Sequence, residues 1–168
     1  MRAVKRIIAA FALFAMLFSM SFVLTSCSAK KIDLGDYGDT PIEIVGLLDE
    51  DFTITPNELA SLKVESATAK GATEKAGTVS GKGPSLTTFL AQYGKTPADF
   101  ALIRFTASDA YTQRFVGASH TDDVFIMAIT NGSQPLSAGE QPLRLIIPEA
   151  ESSQWIYAVV RIEFTPID

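Results

Sequence analysis

One cysteine, one histidine and one tryptophan occur in the 168 residues. Beyond Cys27 the chain has no thiol. From residue 28 onward this excludes a structural disulfide, a cysteine-ligated zinc, an iron–sulfur cluster and a cysteine nucleophile. The single His120 rules out an HExxH metalloprotease helix, and neither a GxSxG elbow nor a GxxxxGK[ST] phosphate loop is present. Basic residues are scarce: 14 Lys and Arg stand against 19 Asp and Glu, a net charge of −5. Three of the basic residues and none of the acidic ones lie in the first 26 positions, so the remainder holds 11 against 19, a net −8. Nucleic acid and anionic membrane surfaces both repel such a chain.

One long apolar run is present. Arg2, Lys5 and Arg6 precede Ile7–Leu24, 18 residues without a charge, the layout of an export signal or of a membrane helix, for which about 20 apolar residues suffice. The run ends in Leu24-Thr25-Ser26-Cys27. This resembles the lipobox of bacterial lipoproteins, and the resemblance implies cleavage before Cys27 and a diacylglycerol on its thiol. The expected organisation is a lipoprotein signal peptide over 1–26, a lipidated tether over 27–40 and one folded domain over 41–168. The tether, Ser28–Thr40, reaches at most ~45 Å when extended, which keeps the domain close to the membrane. The expected location is extracytoplasmic, on the bacterial cell membrane, with Ser28 favouring the outer membrane where the cell has one. The 142 residues that remain after cleavage suffice for one domain with its own core.

Along the domain, Ile42–Val45 and Phe52–Thr55 alternate as strands. Thr55-Pro56-Asn57-Glu58-Leu59 combines an N-cap, proline at the first helical position and a glutamate three residues after the cap, which predicts a short helix burying Leu59 and Leu62. Val64–Ala69 reads as a strand and Lys70–Gly83 as a loose glycine-rich connection. Pro84-Ser85 caps a helix over Leu86–Tyr93, with Leu86, Phe89, Leu90 and Tyr93 on its core face and Gly94 as its stop. The remainder is β-rich: Ala101–Ala107, a turn at Ser108–Tyr111, Thr112–Val116, Val124–Thr130, Leu143–Ile147 and Ile156–Phe164. Without sustained βαβ alternation, the fold class is α+β, a mixed β-rich domain with two or more short helices.

Val124–Pro148 is two buried strands joined by a polar loop in which Asn131-Gly132 marks a turn and Pro135 and Pro142 stiffen the path. Loops of that length on a rigid sheet are where ligands are met. The candidate ligand-binding residues are Asp109, Tyr111, His120, Asn131 and Arg144. Each also has a plainer reading. His120, in Ser119-His120-Thr121-Asp122-Asp123, is a metal corner or general base, or simply a solvated loop histidine. Asp109 with Tyr111 and Arg114 makes a turn and a cross-strand polar pair. Arg144 binds an anion or ends a strand with an ion pair. Trp155 is a core plug or a ligand platform.

Taken in order, these pieces resemble the molybdopterin-binding domain of the sulfite oxidase superfamily, in a shortened form. The resembling features run from Ile42 to Phe164: Thr-Pro-x-Glu-Leu opening a helix; a glycine-rich segment leading to Ser-Leu-x-x-Phe-Leu; Ser108-Asp109-Ala110-Tyr111 between two strands; Asn131-Gly132 with Pro135-Leu136; Gly139; Pro142-Leu143-Arg144-Leu145; Pro148; and the closing Arg161-Ile162-Glu163 strand. In catalytic members a cysteine two residues before a glycine ligates molybdenum. Here Gly71 matches that glycine and Ala69 stands in the cysteine position. Arginine-rich cofactor contacts are not evident beside it, where only Lys70, Lys75 and Lys82 occur.

The resemblance therefore implies a lipid-anchored, non-catalytic module that binds a small anionic ligand or an envelope protein partner around Asp109–Tyr111, His120 and the Asn131–Arg144 loop. Catalysis is left open and leans against, because the metal-ligating cysteine is absent. No catalytic residue, metal ligand or cofactor is expected, and molybdopterin enters by resemblance only. The alternatives are a molybdopterin-dependent oxidoreductase or its redox accessory subunit, and a purely structural envelope lipoprotein. The lipobox makes a direct prediction: Cys27→Ala abolishes incorporation of labelled palmitate and leaves the precursor at its uncleaved size on a gel. Label retained by the variant contradicts it.

Overall fold

A computed structural model describes residues 33–71, 77–121 and 123–167. The expected export signal, Cys27, the first part of the expected tether, Lys75 and Asp122 lie outside the described residues. Those from Ile32 onward form one compact unit. In chain order the elements are β1 (Ile42–Val45), β2 (Phe52–Ile54), α1 (Pro56–Leu59), β3 (Glu65–Lys70), β4 (Thr78–Gly83), α2 (Leu86–Ala91), β5 (Phe100–Ala107) and β6 (Thr112–Phe115), followed by β7 (Ile126–Ala128), β8 (Thr130–Asn131), β9 (Gln134–Pro135), β10 (Arg144–Ile146) and β11 (Val159–Pro166). The architecture is α+β and β-rich.

Both helices start where their caps dictate. The Thr55 side chain accepts from Glu58 N while Glu58 Oε2 accepts from Thr55 N at 2.7 Å, and Ser85 Oγ accepts from Thr88 N at 3.2 Å. These contacts satisfy N–H groups that the first helical turn leaves unpaired. Gly94, at φ 66°, ends the second helical segment in the left-handed conformation that glycine adopts without a Cβ penalty.

A five-stranded sheet has the order β2-β1-β11-β5-β6. In it β11 lies parallel to β1, with Ile44 opposite Ile162, and antiparallel to β5, with Ile162 opposite Phe105. A second sheet runs β3-β4-β8-β9, and β7 pairs antiparallel with β10. Backbone bonds from Met127 N to Pro84 O and from Ile129 N to Lys82 O tie β7 to the end of β4. One contiguous core joins Ile42, Ile44, Phe105 and Ile162 of the large sheet with Leu59, Phe89 and Leu90 of the helices and with Ile126, Met127 and Leu145.

Three expected boundaries shift. Thr78–Gly83, read as loop, is a strand, because its glycines admit a neighbouring backbone: a Cβ on Gly83 would sit 1.8 Å from the Met127 carbonyl oxygen, and one on Gly81 would sit 2.6 Å from Ala128 Cβ. Val124–Thr130 is not one strand. Val124 and Phe125 precede β7, and Ile129 separates β7 from β8, which pairs into a different sheet. Likewise Ile156–Phe164 divides at Ala158 (φ 54°), leaving Ile156 as an isolated bridge to Leu145.

The tether ends earlier than position 40. Leu34 and Tyr37 belong to the core, and Gly35–Asp39 forms a 3₁₀ turn. The Tyr37 hydroxyl donates to Ile129 O at 2.7 Å and accepts from Leu136 N at 3.0 Å, so one side chain satisfies two backbone groups about a hundred residues away in the chain. Burial raises its pKa above the ordinary 10.0, partly offset by the Leu136 N–H. Because the folded state favours the neutral phenol, its contribution is complete below the unfolded pKa and is lost as pH rises through the folded one. Tyr37→Phe is expected to lower stability at neutral pH by about 1–3 kcal/mol by leaving the two backbone groups unpaired. In urea unfolding, the gap between wild type and variant should then narrow at alkaline pH. A gap independent of pH, or none at neutral pH, contradicts this role.

Candidate functional site

A cleft of about 530 Å³ opens where the β5–β6 hairpin meets the segment leading into β11. The hairpin turn is closed by Ala107 N donating to Tyr111 O (2.9 Å) and Ala110 N donating to Ala107 O (3.0 Å). Within it Asp109 Oδ1 accepts from Tyr111 N at 3.0 Å, the side-chain-to-backbone contact that makes aspartate a turn residue. On the opposite wall the 3₁₀ turn Ser152–Gln154 presents the Ser153 carbonyl. That oxygen accepts from Gln113 Nε2 at 2.5 Å and from the Tyr111 hydroxyl at 3.3 Å, joining the walls, while Gln113 Nε2 also donates to the Tyr111 oxygen at 2.6 Å.

Trp155 contributes to the lining yet is only 6% exposed, and its Nε1–H is spent on Ile147 O at 3.1 Å. Of its two sequence readings, the core plug is the one observed. Ala158 ties the rim together: its N–H donates to Glu140 O (3.1 Å) and its carbonyl accepts from Ser108 N (2.9 Å). Ala110 and Ala158 are the non-glycine residues with positive φ among the described residues, at 69° and 54°; Ala158 lines this cleft and Ala110 stands between the lining residues Asp109 and Tyr111. Conformations of that kind cost about 1–2 kcal/mol per residue and persist where surrounding contacts over-determine them.

The five candidate residues separate. Asp109 and Tyr111 line the cleft. Arg144 lies beside it, buried, with its guanidinium 5.5 Å from the ring centroid of Tyr157, which does line it. The Arg144 charge is engaged: Nη1 pairs with Glu140 Oε1, while Glu140 Oε2 accepts from Ser137 N (3.2 Å) and Ser137 Oγ (2.7 Å). The ion-pair reading of Arg144 is therefore the one observed, and its Nε is buried without a partner.

His120 lies elsewhere, its Nδ1 2.5 Å from Asp123 Oδ2 and its ring edge-on to Phe115 and Phe125 at 5.5 and 5.7 Å. Asn131 is exposed in the tight β8–β9 hairpin, opposite Gln134. Neither lines the cleft. Arg114 faces Arg104 across the β5–β6 ladder, so the polar pair expected with Asp109 does not form. Among the described residues no group of three or more His, Cys, Asp or Glu gathers as a metal site.

Sequence reasoning missed Tyr157, Glu140 and Ala158. Glu140 had a signal, since Ser137-x-x-Glu140 is a capping-box spacing and Arg144 lies four residues further on. Tyr157 had none, because it sits in what reads as a continuous strand. A second depression, about 690 Å³ and more open, lies over the acidic turn Gly46–Phe52, where Asp51 Oδ1 is already committed to Gly46 N at 3.1 Å.

No family model matches the chain, and no curated protein matches it. The fold does match solved structures. It is similar to a chain in the crystal structure of the sulfane dehydrogenase SoxCD from Paracoccus pantotrophus, with a TM-score of 0.61 and 18% identity over 80% of this chain; this chain spans 40% of that one. The likeness is one of fold alone: a mixed α+β, β-rich fold with short helices.

The residues present do not fit the cofactor that the sequence resemblance implies. Ala69, in the expected ligand position, is 1% exposed, held in the β3–β4 ladder opposite Val79, and offers no donor. The Glu140–Arg144 pair yields a prediction. Glu140→Gln strands a buried guanidinium and is expected to lower unfolding stability by about 3 kcal/mol, whereas the double variant Glu140→Gln/Arg144→Met recovers most of the loss. Equal stability of single and double variants in urea contradicts the pairing.

Proposed function

We propose that this protein is a lipid-anchored, extracytoplasmic binding module that uses a molybdopterin-binding-like fold as a scaffold, without the fold's metal chemistry. The observation that carries this reading is the chemistry of the cleft. Hydroxyls, two tyrosine rings, backbone carbonyls and one carboxylate line it, and no thiol, imidazole or cation does. Such a lining is suited to binding and orienting a small molecule, as pockets of roughly 300–1,000 Å³ do. The spent N–H of Trp155 and the bridging contacts of Ser153 and Ala158 hold the walls in place before a ligand arrives, which limits the entropy lost on binding. The apolar run Ile7–Leu24 and the lipobox-like Leu24–Cys27 support a position outside the cytoplasm, close to the membrane, where a ligand or an envelope protein would meet the module.

The test is cofactor content. Full-length protein purified from a host that makes molybdenum cofactor is expected to contain neither molybdenum by elemental analysis nor oxidised-pterin fluorescence. Stoichiometric amounts of both would overturn the non-catalytic reading and turn attention to redox partners.

A further inference from the structure

We infer that the cleft takes an organic cation, a small molecule bearing an ammonium group. This deepens the binding role proposed above and rests on it. The first ground is charge. Asp109 is the one ionised side chain on the lining; one of its oxygens is committed to Tyr111 N at 3.0 Å and the other has no partner among the described residues. The neighbouring cation, Arg144, is already engaged by Glu140.

The second ground is the direction of the hydrogen bonds. Four N–H donors around the cleft are spent: Ser108 N on Ala158 O, Tyr111 N on Asp109, Gln113 Nε2 on Ser153 O and the Tyr111 oxygen, Trp155 Nε1 on Ile147 O. An anion entering here meets the Asp109 carboxylate, whereas an ammonium meets its unpartnered oxygen.

The third ground is aromatic. Tyr111 and Tyr157 are 50% and 52% exposed on the lining of one cleft, and ring faces attract cations. Tyr157 already shows this preference, holding the Arg144 guanidinium 5.5 Å from its centroid. The net charge of −8 beyond residue 26 attracts cationic ligands as they approach. A small anionic ligand, the expectation from sequence, rested on Arg144 being available.

The experiment is calorimetric titration of full-length protein in non-ionic detergent with choline, with putrescine, with the neutral carbon isostere of choline and with sulfate. At least one ammonium probe is expected to bind, the isostere about tenfold more weakly than choline and sulfate not at all. Asp109→Asn keeps an acceptor for Tyr111 N and so preserves the turn. It is expected to weaken the cation about tenfold, with an unchanged unfolding midpoint. Tyr157→Leu gives a second variant that leaves the hairpin untouched and should weaken choline as well. Equal binding of choline and its isostere, preference for sulfate, indifference to Asp109→Asn, or no binding of either ammonium probe overturns the inference. Binding of the isostere or of sulfate would leave the binding-module reading intact, whereas molybdenum and pterin in the same preparation would overturn both.

Discussion

The fold closes through β11. This strand is hydrogen-bonded to β1 on one side and β5 on the other, so within the large sheet β1 and β5 are joined only through it. Its inward residues, Val159, Ile162 and Phe164, are buried, and Phe164 packs on Phe100 with ring centroids 4.9 Å apart. Such non-local pairing bears the entropy of closing long loops before it yields contacts, and the stability of the whole depends on it. The cleft depends on it as well, because the residue just before β11, Ala158, bridges Ser108 and Glu140 by its backbone and thereby sets the distance between the walls.

That arrangement separates scaffold from chemistry. The elements that hold the cleft are buried or fully hydrogen-bonded, while the groups presented to it, Asp109 and the rings of Tyr111 and Tyr157, stay exposed. A fold can keep such a cleft while the side chains that would perform catalysis are replaced, and fold alone then says little about activity. Here the replacement is concrete: alanine stands within a strand where the resemblance calls for a thiolate. The two strained alanines at the rim show that the cleft is held in shape by its surroundings and is no loose gap between elements.

Much of this was legible in the residues where chemistry is local. The Thr55–Glu58 capping box, the Ser85 cap, the β5–β6 hairpin and the Asp109 turn each follow from short-range rules, and each is present at its expected place. The α+β, β-rich class followed from the order of those pieces. What was not legible depended on distant partners. Gly81 and Gly83 look like loop residues until the Met127 carbonyl and Ala128 are seen pressed against them. Leu34 and Tyr37 look like tether until Tyr37 is seen bonded to Ile129 and Leu136. His120 and Asn131 have the composition of site residues but lie on other parts of the fold. Arg144 is near the cleft with its charge already matched by a glutamate four positions away.

The central claim is that this cleft, and not a metal centre, is where the protein works. Hydrogen–deuterium exchange tests it most directly, comparing protein in its native membranes with protein stripped of small molecules by extensive dialysis. The account predicts slower exchange in the native sample at residues 108–111 and 152–158, with the rest of the domain unchanged. Identical exchange over those two segments, or protection centred instead on the β3–β4 region around Ala69, would contradict it.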